Sequence, residues 1–247
     1  MSTNNLDKDA IAKPTAAVNS KQSRLISKVL SPALRLWLRS LVEQVSDLEV
    51  KISGSDRQIL TGNIPNVSIR ANLAVYQGLH LEQIHLVGNG IRTNLSQVLR
   101  GQPLRLVEPV LVYGELLVQQ AGLNASLQSS LLSTALTDLL QMLLPKDYSL
   151  DGQVKWHKIT IDTEQLILSG TLTHSSSTMP LSLRCGLQLL SCHELQLTYP
   201  QLQIYPDVLL EKLENFNIDL GSHVDLQELT LHPGGLVCRG GITVMPA

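Results

Sequence analysis

NVSIRANLAV (residues 66–75) runs through YQG into LHLEQIHLVGNGI (79–91), and the spacing of its apolar residues decides the fold. Val67, Ile69, Ala71, Leu73 and Val75 alternate with Asn66, Ser68, Arg70 and Asn72. A period of two puts one set of side chains on a buried face and the other in water, as in a half-covered antiparallel strand. In LHLEQIHL the apolar phase switches between Leu81 and Ile84, and VDLQELTL (224–231) makes the same switch between Leu226 and Leu229. A slip of one residue inside a strand is what a β-bulge produces, so one is expected in each.

The likeness extends along the chain. LHLEQIHLVGNGI matches VDLQELTLHPGGL (224–236) in apolar pattern. A short phrase also occurs three times, as ILTGNI (59–64), ILSGTL (167–172) and VCRGGI (237–242). IDTEQLILSGTL (161–172) aligns on LHPGGLVCRGGI (231–242) without a gap, and ISGSDRQILTGNI (52–64) aligns with one extra turn residue. Each reads as a β-hairpin whose Gly marks a bend or a close backbone approach, and together they suggest duplication of a β unit.

Helical spacing appears in two places. Ile26, Leu30, Leu34, Trp37, Leu41 and Val45 recur at three or four, predicting an amphipathic helix over 24–46 with Ser31–Pro32 placed like a cap and first-turn proline. LNASLQSSLLSTALTDLLQMLLP (123–145) predicts a central helix over 123–144, about 30 Å long, with Asn124 as cap and Pro145 as stop. Its second face is Ser, Thr and Gln with Asp138 as the sole charge, so it is expected to be covered on most sides. A second β part follows over 152–247, interrupted by a short helix at about 206–215 (PDVLLEKLEN). The resulting fold class is α+β, with curved antiparallel β-sheets wrapped on long helices. Residues 1–22, polar and without period, read as a disordered tail, and 23–247 as a single domain with its first β part at 47–120.

Composition narrows the function. Leucine supplies about one residue in five, there is one Phe, and charged residues are 16% against a usual ~25%. No apolar run reaches the ~18 residues of a membrane span. A net charge of −2 argues against nucleic acid. Residues 1–40 nevertheless hold seven Lys/Arg against two Asp, leaving twelve against nineteen in the remainder. A basic end on an acidic body suggests a local anionic partner. Cys185, Cys192 and Cys238 have no metal or disulfide spacing, and the first twenty residues carry no secretory signal, so a reduced, cytoplasmic location peripheral to a membrane is expected.

No nucleophile elbow, phosphate loop or zinc motif occurs, and the seven histidines are scattered. The reading is therefore non-enzymatic, with no cofactor and no metal. What stands out is a cationic stripe. Lys21, Arg24, Lys28, Arg35 and Arg39 fall within about 60° of one helix circumference, opposite Leu30 and Trp37, in the manner of a membrane-surface helix. These five cations and Trp37 are the expected membrane-docking residues. In the central helix Leu127, Leu131, Leu132, Leu136, Leu139 and Leu143 form an apolar surface at helical spacing.

ILTGNIPNVSI, AVYQGLHLEQIHL and GLNASLQSSLL carry a resemblance to cyanobacterial members of the LmeA-like phospholipid-binding family over about Leu25 to Leu143. The acidic residue that the family usually places before Leu-Asn is Gly122 here. The resemblance implies a tubular lipid-binding fold of the BPI type and a phospholipid or other acyl lipid as partner, at an anionic membrane surface. With it Leu127, Leu131, Leu132, Leu136, Leu139 and Leu143 become the expected lipid-lining residues, since flexible aliphatics can line an acyl site without signature polar groups. Two other readings stay open: a solid-core interaction or scaffold domain without ligand, and, third, a lipid hydrolase.

Overall fold

A computed structural model describes residues 25–98, 101–102, 104–144, 152–174, 177–204, 208–210 and 213–246. Lys21, Arg24 and the expected tail lie outside them. Two antiparallel sheets dominate. The first has the order β1 (Asp47–Ser53), β2 (Asn63–Tyr76), β3 (Leu79–Arg92), β4 (Val110–Gln119), β12 (Gly235–Val244), β11 (Val224–His232). The second runs β10 (Phe216–Asp219), β8 (Glu194–Ile204), β7 (Ser177–Ser191), β6 (Gln165–His174), β5 (Gln153–Asp162), with the short β9 (Val208–Leu210) beside β8.

Two copies of the repeated phrase fold alike. In β5–β6 the register slips between Trp156 and Lys158, opposite Gly170; in β11–β12 it slips between Leu226 and Glu228, opposite Gly240. A side chain on Gly170 would put its Cβ 2.6 Å from the Lys155 carbonyl oxygen, and one on Gly240 would strike the Asp225 carbonyl. The glycine is the space into which the bulged strand presses its backbone. Both turns end on a left-handed residue, Glu164 (φ 63°) and Gly234 (φ 83°).

The third copy is different. Ser55 and Gln58 form a capping box that starts α2 (Asp56–Leu60), so ISGSDRQILTGNI is strand, helix and strand, and not a hairpin. The bulge expected in LHLEQIHL is also absent: β2 and β3 stay in register from Asn63↔Arg92 to Tyr76↔Leu79. The change of phase is absorbed by Leu73, whose φ of 48° kinks β2 while the pairing continues.

The helices are shorter than expected. α1 (Leu25–Leu41) is one helix with Pro32 inside it, and the chain beyond is extended, Gln44 bridging to Val75. The central segment divides into α4 (Gln120–Ser126) and α5 (Ser130–Leu143). The break arises because Ser129 leaves the helix to cap α5, accepting from Leu132 N at 3.1 Å. Within 206–215 the described residues are not helical: 208–210 are strand β9, paired Leu202↔Leu210, because this short apolar run satisfies its backbone on β8, and 213–215 have no regular structure. α3 (Leu95–Val98) completes the helices described here.

Asn124 does not cap a helix. From inside α4 its amide donates to Ile159 O and accepts from Ile159 N, both at 2.8 Å, and Gln120 Oε1 accepts from Ile161 N at 2.7 Å. Two side-chain amides thus take the place of a neighbouring strand at the edge of β5. Gly234 N donates to Ile161 O and Leu226 N to Cys192 O, so the first sheet's last hairpin is also tied to the second sheet.

Candidate functional site

Cross-strand register sorts the first sheet into two faces. One face carries Arg70, His85, Glu115, Arg239 and Glu228 in a row. There Arg239 donates to Glu115 at 3.0 Å and to Glu228 at 2.7 Å, which holds the Glu228 carboxyl below its ordinary range. The other face is apolar across all six strands. Three of its rows are Ile84–Leu116–Cys238–Leu229, Leu86–Gly114–Gly240–Leu226 and Gly88–Val112–Ile242–Val224.

The ends of this apolar face are closed by different partners. Over β1 and β2, Leu30, Leu34 and Leu38 of α1 pack on Val50, Ile52, Ile64 and Val67. At the hairpin end, which holds the turns Gln77–Gly78 and Pro233–Gly234, Leu231 and Leu236 join the core of the second sheet. Between these closures Ile84, Leu86, Val112, Leu116 and Cys238 are half-exposed and Ile242 is 49% exposed. Glycines lower the floor: a Cβ on Gly114 would meet Leu86 Cδ2 at 2.5 Å, so Leu86 lies flat where a side chain would stand. We call this half-exposed apolar strip along β3, β4 and β12 the furrow. Cys238 sits in its floor, with its thiol pKa raised by burial.

The second sheet is closed by contrast. Trp156, Ile159, Leu168, Leu181, Leu183 and Leu202 are buried against α4 and α5. Trp156 Nε1 donates to Thr137 at 3.2 Å, and Cys185 in this core is pushed up to about 11 by burial. Leu127 and Leu143 are buried in this cluster, while Leu132, Leu136 and Leu139 are partly buried against it. Leu131 faces the other way, 46% exposed, into an open cleft of about 780 Å³ that also holds Glu43, Gln77 and Asp138. The six expected lining leucines therefore do not share one surface.

On α1, Arg35 and Arg39 are exposed, and so are Leu36 (68%) and Trp37 (54%). Lys28 lies in the first turn of the same helix. The histidines stay dispersed: His157 bonds Thr171 at 2.9 Å and His193 lies beside Cys192 at 3.4 Å. Among the described residues no group of three His, Cys, Asp or Glu converges on a point. Nor is any described helix long and apolar enough to cross a membrane.

The furrow's β4 and β12 residues were not singled out from sequence. VLVYGELLV (110–118) does show the alternation, but pairing it with 235–244 requires the whole topology. Residues 21–241 of the 247 match the family model described as LmeA-like phospholipid-binding, and the chain belongs to that family. No curated protein and no solved structure matches it.

Proposed function

We propose that this LmeA-like phospholipid-binding family member holds a phospholipid or similar acyl lipid without covalent chemistry, its tail lying along the furrow of the first sheet. The half-exposed apolar strip between the α1 closure and the second sheet is the observation that carries this reading. From Cys238 to Val244 the furrow is about 20 Å long at ~3.4 Å per residue, longer than the ~15 Å that one leaflet's tails occupy. At ~0.8 kcal/mol per fully buried methylene, a sixteen-carbon tail covered on one side gains roughly 6 kcal/mol. That supports reversible holding and, at a membrane, transfer.

The same reading makes α1 a contact with an anionic surface. Lys21, Arg24 and Lys28, at and before the start of α1, supply charge at ~1 kcal/mol each near the leaflet, and Arg35, Trp37 and Arg39 continue the stripe toward the other end of the helix. The furrow, rather than Leu127, Leu131, Leu132, Leu136, Leu139 and Leu143, becomes the lining. Between them the two sheets form a tubular lipid-binding arrangement in this reading, with α4 and α5 sealing the second sheet.

Cys238 provides the test. Vesicles of phosphatidylcholine and phosphatidylglycerol should slow its alkylation and leave that of exposed Cys192 unchanged. Leu116→Trp should fill the furrow and lower lipid carried in native mass spectrometry, with little change in apo stability. Leu136→Trp should overpack the closed core and cost ~1–3 kcal/mol. If alkylation of Cys238 ignores lipid and Leu116→Trp carries as much lipid as the wild type, a solid-core scaffold is the better reading.

A further inference from the structure

The first sheet has two ends. α1 leads into β1 through Gln44, which pairs with Val75 at the hairpin end, so the C-terminus of α1 lies there. From it the helix runs back to contact α2, which follows β1 at the opposite, loop end. Lys28 is therefore on the part of α1 nearest the loop end, and Lys21 and Arg24 precede that part in sequence.

The loop end is built from the segment before β4 and the last residues of β12. Thr93 bridges to Leu106 and Val107 N donates to Arg92 O, laying residues 104–107 beyond the end of β3. Val110↔Val244 and Leu111↔Thr243 join this segment to the end of β12. The exposed large apolar side chains here are Leu104 (47%), Val107 (56%), Leu111 (40%), Ile242 (49%), Val244 (39%) and Met245 (51%). Leu60 on neighbouring α2 adds a seventh at 45%. They stand on both faces of the sheet, Leu111 on the polar face and Ile242 and Val244 on the furrow face, so they surround a rim. Arg57 and Arg105 are exposed beside them, and Arg92 pairs with Glu108 at 3.6 Å.

We propose that this rim is a membrane-inserting tip, at which the furrow opens directly into the acyl region of an anionic leaflet. Resting on the furrow reading above, it adds the place and direction of lipid loading. Two observations choose the bilayer as occupant. The apolar rim is continuous with the furrow, since Ile242 and Val244 belong to both, so a tail slides from leaflet to protein without crossing polar surface. Cations flank the rim, in the arrangement that meets anionic headgroups while apolar side chains enter below them.

The experiment uses the full chain with single variants Val107→Asp and Met245→Asp, checked for wild-type melting, and a second variant, Val107→Trp. Flotation with phosphatidylcholine/phosphatidylglycerol vesicles should fall ~tenfold for each Asp variant and rise for Val107→Trp, whose fluorescence should shift to the blue on binding. Alkylation of Cys238 with monomeric short-chain phosphatidylglycerol reads the furrow separately. The Asp variants should keep the wild-type protection there. Vesicle binding unaltered by both Asp variants and by Val107→Trp overturns the tip, as does wild-type protein that does not float with these vesicles. Unaltered vesicle binding with an Asp-dependent loss of self-association in light scattering assigns the rim to a second copy of the chain and overturns it too. Asp-sensitive flotation without Cys238 protection in the wild type keeps the tip and removes the furrow.

Discussion

At the scale of single residues, the glycines opposite bulges matter more than the open turn glycine Gly90. Gly170 and Gly240 face the carbonyls of Lys155 and Asp225, and backbone cannot step aside as a flexible side chain can. Gly170→Ala and Gly240→Ala should each lower stability by ~1–3 kcal/mol, read as a reduced urea midpoint, and each exceeds the effect of alanine at Gly90, where the space is open. Gly90 itself has φ 62°, so its alanine variant carries backbone strain alone. Equal losses at all three sites would show that the bulges yield. Both glycines were legible as bends from the repeated phrase, because a bulge and its glycine recur together 70 residues apart.

At the scale of elements, α4 does the work of a strand. Asn124 gives β5 the donor and acceptor that a peptide group would supply, and an edge so satisfied is closed to other strands. Asn124→Ala leaves the N–H and C=O of Ile159 without partners in a partly buried place, and should cost roughly 2–4 kcal/mol in chemical denaturation. Hydrogen exchange at Ile159 should accelerate with it; an unchanged rate would mean that water replaces the amide. Strands were readable where one face is wet, since the alternation of Val67, Ile69 and Ala71 has no helical equivalent. Helix limits were less so. The Ser55–Gln58 box was overshadowed by the hairpin-like phrase that follows it, and the Ser126–Ser130 run interrupts a leucine pattern that continues on both sides. Residues 208–210 show that a short apolar run takes its structure from the strand beside it.

At the scale of the whole molecule, the two sheets share α4, the Leu226–Cys192 bond and the Gly234–Ile161 bond, so they should unfold together. One calorimetric transition is the expected outcome for 23–247, and two separable transitions would mark two independent units. Phospholipid at a hundred times its dissociation constant should raise that transition by ~2.7 kcal/mol of stability. The antiparallel, half-covered character of the sheets was visible in sequence, but the furrow was not, because Val112 meets Ile242 only when distant strands pair. That pairing sets a timetable for biosynthesis. Gln119 waits for Gly235, 116 residues later, and at ~5–20 residues per second a ribosome takes on the order of ten seconds to deliver it. During that interval β4 presents an unpaired edge with Val110, Val112 and Val118 along it, a natural client for a chaperone. The furrow comes into being only when β12 closes onto β4, so the lipid site proposed there cannot load on a nascent chain before β12 has been made.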